Sequence, residues 1–505
     1  MPAPLPTSVH VSAHAHRARL ATESFDVVVI GGGINGCGIA RDAAMRGLSV
    51  ALIEKDDFGS GTSGRTSRLI HGGLRYLEHG RIGLVRESRR ERATLHRIAP
   101  HLVVPLRFTW PVYRGSRVTA GKLRAGLTLY DALSLSHPGK WHRRLSAAEL
   151  LAREPALRRE GLTGGAAYFD SSTDDARLTL ATALSAGYWN AVLVNHTSAE
   201  VVSGDSPHRV AIIDHITGER STVSARAVVR AVGPWATAAE HSKGSHIAVD
   251  RALVGNRDAL ALLSPIDGRV MFVLPAGSQA IIGTTEILTS SPPDEVRASE
   301  SEISYLIESA NAYLADARLA RADVTSAWAG LRPLAPALMS ADLSSASREH
   351  LVIRDATGVI TITGGKLTTY RAVAEEVVDL VQTTLGMRKT RSRTAVESLP
   401  GSDRASAIDE MIGVTPSLGA PLGAGSAIRA ADLVYAVRHE HALTLSDLLI
   451  RRTLAAFRAR DHAMSLAARA AEVVAPLLGW STEMQDAAVT AYALEVSRIF
   501  TIDPG

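Results

Sequence analysis

The first residues in this sequence whose spacing could do chemistry are glycines. Gly31, Gly32, Gly33 and Gly36 follow directly on Val27-Val28-Val29-Ile30, with Asn35 in the same turn. A short β-branched run of this kind predicts a buried parallel strand. The spacing then predicts a dinucleotide turn. Gly31 permits the sharp reversal, Gly33 lets backbone N–H groups approach a pyrophosphate, and Gly36 lets the following helix close on the strand. That helix would meet the phosphates with its partly positive N-terminus. A second apolar run, Ser49 to Ile53, ends at Glu54, whose carboxylate can accept hydrogen bonds from both hydroxyls of a ribose.

A second chemistry-bearing stretch runs from Gly61 to Glu78. Its hydroxyls at Thr62, Ser63, Thr66 and Ser67 suit a diphosphate or a sugar chain. Leu69 leads into His71-Gly72-Gly73-Leu74-Arg75-Tyr76, which offers a base, a cationic fork and a phenolic donor. The two glycines allow the backbone to pass close to a flat ring. On composition alone an arginine-rich surface turn accounts for this stretch equally well.

The elements that must position these groups can be read in outline. Residues 226–232 form another strand, stopped by Gly233-Pro234. Runs at 351–354 and 359–363, joined by the turn Asp355-Ala-Thr-Gly358, predict a hairpin. Gly364-Gly365 then opens a helix whose apolar side is Ala374, Val377, Val378 and Val381. Nucleotide-domain pieces so far apart predict an α/β fold with a discontinuous Rossmann-like nucleotide domain (about 25–75, 166–239 and 346–385). An α+β substrate domain is inserted at about 76–165 and 240–345. Residues 386–427 read as a linker region. Leu466, Ala470, Val473, Val474 and Leu477 make one helical stripe, so 428–505 is expected as a C-terminal helical cap. Residues 1–24, with His10, His14 and His16 but no long apolar run, are expected as a flexible tail.

Length and composition close off other classes. At 505 residues the chain has ample core for two or three domains. A net charge of +4 is too weak to argue for nucleic acid, though it suits an anionic substrate. The single cysteine, Cys37, reads as a small apolar filler in a tightly packed helix and fits a reducing cytoplasm. No metal site is expected. No apolar segment has transmembrane length, so any membrane contact is expected to be peripheral, with a basic patch at Arg114, Arg117, Lys122 and Arg124, interspersed with Val118 and Leu123, as its candidate. A homodimer is compatible with the chain, but nothing in the sequence reads it out.

The motifs occur in an order that resembles the FAD-dependent glycerol-3-phosphate dehydrogenases. The likeness runs through the 61–78 segment, Asp174-Asp175-Ala176-Arg177-Leu178, Gly233-Pro234-Trp235, Lys243-Gly244-Ser245-His246 and Ile281 to Thr285. It continues through Gly330-Leu331-Arg332-Pro333-Leu334, Ser347 to His350, Gly364 to Arg371, Tyr435 to Glu440 and Asp447 to Thr453. The resemblance implies oxidation of the C2 hydroxyl of sn-glycerol 3-phosphate to dihydroxyacetone phosphate, with electrons passed through FAD to a quinone. It implies a cofactor site built from the glycine turn, Glu54, Thr62, Ser63, Ser67, Leu69, His71, Gly72, Gly73, Gly233, Lys366, Leu367 and Thr368. Arg75 and Arg332 become the expected phosphate clamps, with Tyr76 and Lys366 also on the substrate. Lys366 is expected near flavin and substrate, and His246 or His71 as the base, with His246 slightly favoured. A glycerophosphate oxidase on the same scaffold, passing electrons to oxygen, stays open. An amine or amino-acid oxidase of the broader fold and a non-catalytic flavin-fold regulatory or partner-binding protein are more remote alternatives.

Three departures from the family pattern stand out. Val229-Arg230-Ala231-Val232 replaces a usual Asn-Ala-Thr, Arg68 stands where lysine is common, and the stretch from Trp235 to Lys243 is short.

Overall fold

In the computed structural model of the chain, the described residues are 12–74, 77, 80–133, 141–203, 206–236, 241–315, 319–332 and 350–504. The β-branched run forms the strand Phe25–Ile30, at the centre of an eight-stranded sheet. Val28 pairs in parallel with Ala51 on one side and Val228 on the other. Alternation sends Val27 and Val29 to one face and Val28 and Ile30 to the opposite face, and each face has its own core. The first face is covered by the helices Ile34–Met45 and Tyr370–Thr384. Burying each such valine contributes ~1.5–3 kcal/mol.

The predicted hairpin is present as Leu351–Arg354 and Ile360–Thr363. The helix expected to open at Gly364-Gly365 begins at Tyr370. Lys366 therefore sits in the turn ahead of it, not in its first turn.

A ten-stranded sheet stands beside the first. Its middle is the mixed set His241–Asp250, Gln279–Gly283, Val270–Ala276, Ala259–Leu263, Val103–Tyr113 and Leu162–Thr173. Val324–Arg332 pairs with His241–Asp250 along most of its length. The expected boundary at 165/166 falls inside the strand Leu162–Thr173, which pairs with Val103–Tyr113 along its length in this sheet. Even Leu69–Ile70, next to the hydroxyl-rich loop, pairs with this strand at Ser171 and Ser172. One face of the sheet packs against Ile303 and Leu306 of the helix Glu300–Asn311. The opposite side shares a core with the C-terminal helices through Phe108, Trp328, Leu448, Phe457 and Phe500.

Two expectations about connecting segments need correction. Residues 13–22 of the expected tail form the helix Ala13–Thr22. Leu20 and His16 are buried, the His16 ring accepts the Leu193 N–H at 3.2 Å, and Arg17 joins Asp214 at 2.7 Å and the Asn195 carbonyl at 2.6 Å. A helix with so little apolar surface is held by polar contacts that no hydrophobic stripe could reveal. The expected linker region carries the helix Arg404–Val414, and its carbonyls at Thr394 and Glu397 accept from the fully buried Arg41. Beyond it the helices Ala430–His439, Met464–Leu478 and Thr482–Phe500 form the C-terminal helical region. Among the described residues no helix is long and apolar enough to cross a membrane.

Candidate active site

The glycine turn sits in a cavity of about 360 Å3 lined by Gly31, Gly33, Asn35, Glu54, Ser63, Gly233 and Trp235. A side chain at Gly31 would lie 2.5 Å from the Ala231 carbonyl oxygen, so only glycine lets the two strands and the turn meet. Gly36 is equally constrained by the Gly31 carbonyl, and Gly32 packs on Phe58 and Glu54. These two shape the turn without lining the cavity. Gly33 differs, because a Cβ there would meet only Ser63 Oγ, at 3.3 Å, and would point into open groove. Ser63 Oγ accepts the Ile34 N–H at 2.9 Å. Asn35 donates to the Gly364 carbonyl at 3.2 Å, while its buried Oδ1 has no hydrogen-bond partner among the described residues.

Glu54 is buried, and its two carboxylate oxygens accept from Gly32 N–H at 2.5 Å and Asp56 N–H at 2.9 Å. Burial pushes its pKa up to about 7, against the pull of those two N–H groups. Each oxygen keeps a second lone pair for a hydroxyl donor.

Thr62, Thr66, Gly365, Lys366 and Leu367 line this cavity and also a second one, of about 540 Å3, so the two form one continuous groove. The second cavity is built on the ten-stranded sheet. Gly244 and His246 are two apart on one strand, and Trp328, Gly330 and Arg332 are likewise two apart on its neighbour, so all five share a face. The glycines make the room. A Cβ at Gly244 would lie 2.6 Å from both Arg332 Nη2 and Thr284 Oγ1, and one at Gly330 would lie 2.7 Å from the Arg65 carbonyl oxygen.

Arg332 is braced by Thr284 Oγ1 at 3.0 Å, with Ser242 Oγ at 3.5 Å and Glu286 at 3.9 Å. His246 is buried, stacks on Trp328 with ring centres 5.5 Å apart, and has Nε2 2.8 Å from Ser67 Oγ. Burial first, then the charges of Arg332 and Arg68, lower its pKa to about 3. The ring is therefore neutral, with a nitrogen lone pair, but burial and these charges make it a weak base in the absence of an anion beside Arg332.

The other predicted residues distribute unevenly. Leu69, His71, Gly73, Lys366, Leu367 and Thr368 line the second cavity, and Thr368 donates to the His71 carbonyl at 3.4 Å. Gly72 turns away. Its N–H donates to Asp170 at 3.0 Å, and a Cβ would strike the Tyr130 hydroxyl. Its absent side chain thus serves packing against Tyr130 and not a close approach to a flat ring. Arg75 and Tyr76 lie outside the described residues.

Sequence reasoning missed the aromatic wall of Phe108, Trp110, Tyr168 and Phe272, and also Thr284, Arg65 and Asp170, all of which line the same cavity. Alternation of Phe108 with Trp110 and of Tyr168 with Asp170 was the available signal. It becomes informative only once both strands are known to border one cavity. Arg65 is buried, and its pKa is lowered to about 10 by that burial and then by Arg498.

A glycine turn at the C-terminal end of a central parallel strand, opening into a cavity on a second sheet, defines a nucleotide-binding fold with an adjoining substrate-sized site. Residues 26–380 match the family described as FAD dependent oxidoreductase, and residues 401–485 match the C-terminal domain of alpha-glycerophosphate oxidase. A glycerol-3-phosphate dehydrogenase from Synechocystis sp. is 36% identical, over 93% of this chain and 96% of that protein. Glycerol-3-phosphate dehydrogenase 2 from Mycobacterium bovis is also 36% identical, over 95% of this chain and 89% of the relative. The solved structure of glycerol-3-phosphate dehydrogenase from Bacillus halodurans, complexed with FAD, superposes with a TM-score of 0.77 at 27% identity, covering 98% of this chain and 99% of that one. The chain belongs to the FAD-dependent glycerol-3-phosphate dehydrogenases. Its groove fits the cofactor: Gly33 leaves open space beside helix N–H groups, Asn35 Oδ1 and Glu54 offer buried acceptors, and the two cavities join end to end.

Proposed function

We propose that this chain oxidises the C2 hydroxyl of sn-glycerol 3-phosphate to dihydroxyacetone phosphate and delivers the electrons to a quinone. One observation carries the reading. Arg332, neutral His246 and Lys366 converge on a single cavity that opens into the nucleotide groove. FAD, when bound, supplies the acceptor for the hydride from C2.

The chain's own residues do the rest. Arg332, with its fork held by Thr284, is suited to two phosphate oxygens. His246 takes the hydroxyl proton on a ring nitrogen, and Ser67 fixes the ring's orientation. Burial is the main cause of the depressed imidazole pKa, and a dianionic substrate on Arg332 offsets the second one, the Arg332 charge, so the ring becomes a better proton acceptor when substrate is present. Lys366 adds a cation where the two cavities meet, ahead of the positive end of the helix Tyr370–Thr384. Phe108, Trp110 and Leu123 of the helix Ala120–Ala132 give the second cavity an apolar wall. Arg75 and Tyr76 complete the substrate set in this reading.

The apolar wall supports a quinone as electron acceptor. Association with the inner face of a membrane is supported by exposed Arg114, Arg117, Lys122 and Arg124, with Leu129 43% exposed on the same helix as Lys122 and Arg124 and Trp141 63% exposed. Val118 and Leu123 of the expected patch are buried against the cavity, so its apolar component must come from these other side chains. A homodimer belongs to the same proposal and is checked by sedimentation of the holoenzyme.

Anaerobic addition of sn-glycerol 3-phosphate to the FAD-loaded protein should bleach the visible flavin band. Reoxidation should then be fast with a soluble quinone and slow with oxygen alone. A flavin that stays oxidised under excess substrate rejects the reading, and rapid reoxidation by oxygen makes the chain an oxidase.

A further inference from the structure

The C-terminal region meets the nucleotide groove through a set of buried charges for which the reaction has no use. Asp57 is fully buried three residues beyond Glu54. It accepts from Arg451 Nε at 2.6 Å, from Arg452 at 2.7 and 2.9 Å, and from Asn195 Nδ2 at 3.0 Å. The remaining reach of Arg452 is taken by the Glu440 carbonyl, at 3.1 and 2.8 Å. Glu440 in turn is gripped by both ends of the Arg177 guanidinium and by Arg404.

The opposite wall of the same groove is pinned from the same side. Asn195 also donates to the His441 carbonyl at 2.9 Å, and His196 Nε2 lies 2.9 Å from Asp447, itself paired with Arg451 at 2.6 Å. Burial works against a charged imidazole there, but the Asp447 carboxylate overrides it and raises the His196 pKa. These anchors pass directly into groove-lining backbone. Asp56 donates to Glu54, His196 N–H donates to the Asp56 carbonyl, Thr197 N–H to the Glu54 carbonyl, and Gly59 N–H to the Gly32 carbonyl. Glu54, Lys55, Ser60 to Ser63 and Thr197 to Ala199 all line the cavity of the glycine turn.

We propose that Arg451, Arg452 and Asp447 are positioning residues for FAD: the C-terminal region clamps both walls of the ribose end of its groove through Asp57, Asn195 and His196. The geometry is specific to that task. The two arginines lie on one π-helical turn, Asp447–Arg452, whose wider spiral brings consecutive guanidinium groups onto one carboxylate. Asp57 thereby fixes the segment between Glu54 and the hydroxyl-rich loop, and a carboxylate buried in this way cannot swing out to water without abandoning two cations.

The test is Arg452→Met, with FAD affinity of the FAD-free protein measured by flavin fluorescence quenching. Melting temperature is followed with and without FAD, and KM for glycerol 3-phosphate is measured at saturating FAD. The expected result is an FAD Kd at least tenfold higher and a smaller FAD-induced rise in Tm, with the KM for glycerol 3-phosphate changed less than threefold. If the FAD-free protein melts earlier but Kd and the FAD-induced rise match wild type, the network is packing alone and the proposal falls. It falls equally if FAD and glycerol 3-phosphate lose affinity in the same proportion. Should Arg452→Met fail to fold, Arg452→Lys and Asp57→Asn carry the same measurements. The lysine variant, which keeps charge but loses the fork, is expected between wild type and Asp57→Asn.

Discussion

The raised pKa of Glu54 makes cofactor binding a proton-release reaction. Burial pushes this carboxyl up to about 7, opposed by the Asp56 and Gly32 N–H groups; the Asp56 carboxylate adds to the rise and Lys55 reduces it slightly. A ribose with two hydroxyl donors needs the ionised form as acceptor. Below the pKa the apparent FAD affinity should therefore fall about tenfold per pH unit, so Kd at about pH 6 is roughly ten times its value at about pH 8.5. That corresponds to ~1.4 kcal/mol. The same shift carries a stability sign. The folded, FAD-free protein holds this proton more tightly than the unfolded chain does. The resulting stabilisation is complete below the ordinary carboxyl value of 4.5 and is lost as pH rises through about 7. The assay is flavin fluorescence quenching on FAD-free protein across that window, for wild type and Glu54→Gln. The variant should bind FAD more weakly at high pH and show no slope. A flat wild-type profile, or an equal slope in the variant, would refute the assignment of the titration to Glu54.

Two further variants address the groove and two the chemistry. Gly33→Val should prevent FAD loading, because its branches extend past Ser63 Oγ into the open groove; flavin absorbance of the purified protein checks this, and normal loading would place the pyrophosphate elsewhere. Arg332→Lys keeps the charge but loses the fork braced by Thr284, so kcat/KM for glycerol 3-phosphate should fall roughly ten- to a hundredfold, the equivalent of ~1.5–3 kcal/mol. The fall should be much larger than any on unphosphorylated glycerol. His246→Ala should slow single-turnover flavin reduction by ~10²–10⁴-fold with FAD still bound, recovering partly as pH rises. Ser67→Ala should have a smaller effect in the same direction, and a large pH-sensitive defect in His71→Ala instead would reverse the two histidines.

The nucleotide half of the molecule was legible because its signals are local. A β-branched run, glycines at fixed spacing and a terminal Glu54 lie within thirty residues, and each has one physical reading. The substrate half was legible only as a resemblance. Its cavity is assembled from Ser67, Gly244, His246, Thr284, Gly330 and Arg332, drawn from four separate stretches. What makes them neighbours is strand register, set by pairing between His241–Asp250 and Val324–Arg332, which no single stretch encodes. The helix Ala13–Thr22 escaped for the opposite reason. It buries too few apolar side chains to leave a periodic stripe, and its hold on the sheet comes from Arg17 and His16.

The departures from the family pattern also acquire physical reasons once the fold is known. Arg68 does not line the cavity. Its guanidinium lies 5.0 Å from the centre of Phe457 and 5.7 Å from Trp328, with Asp175 at 3.9 Å. A planar cation stacks between rings in a way an ammonium does not. The change from lysine therefore joins the strand that carries His246's partner, Trp328, to the C-terminal region. Ala231, in the altered Val229–Val232 stretch, contributes its backbone. Its N–H donates to the Ile30 carbonyl at 2.8 Å, and its own carbonyl closes on Gly31. Those contacts are main-chain ones and do not depend on which side chains fill the stretch. Arg68 thus acts on the geometry behind the second cavity, whereas Ala231 and Val232 line the nucleotide groove itself, where the retained main-chain contacts hold the glycine turn in place.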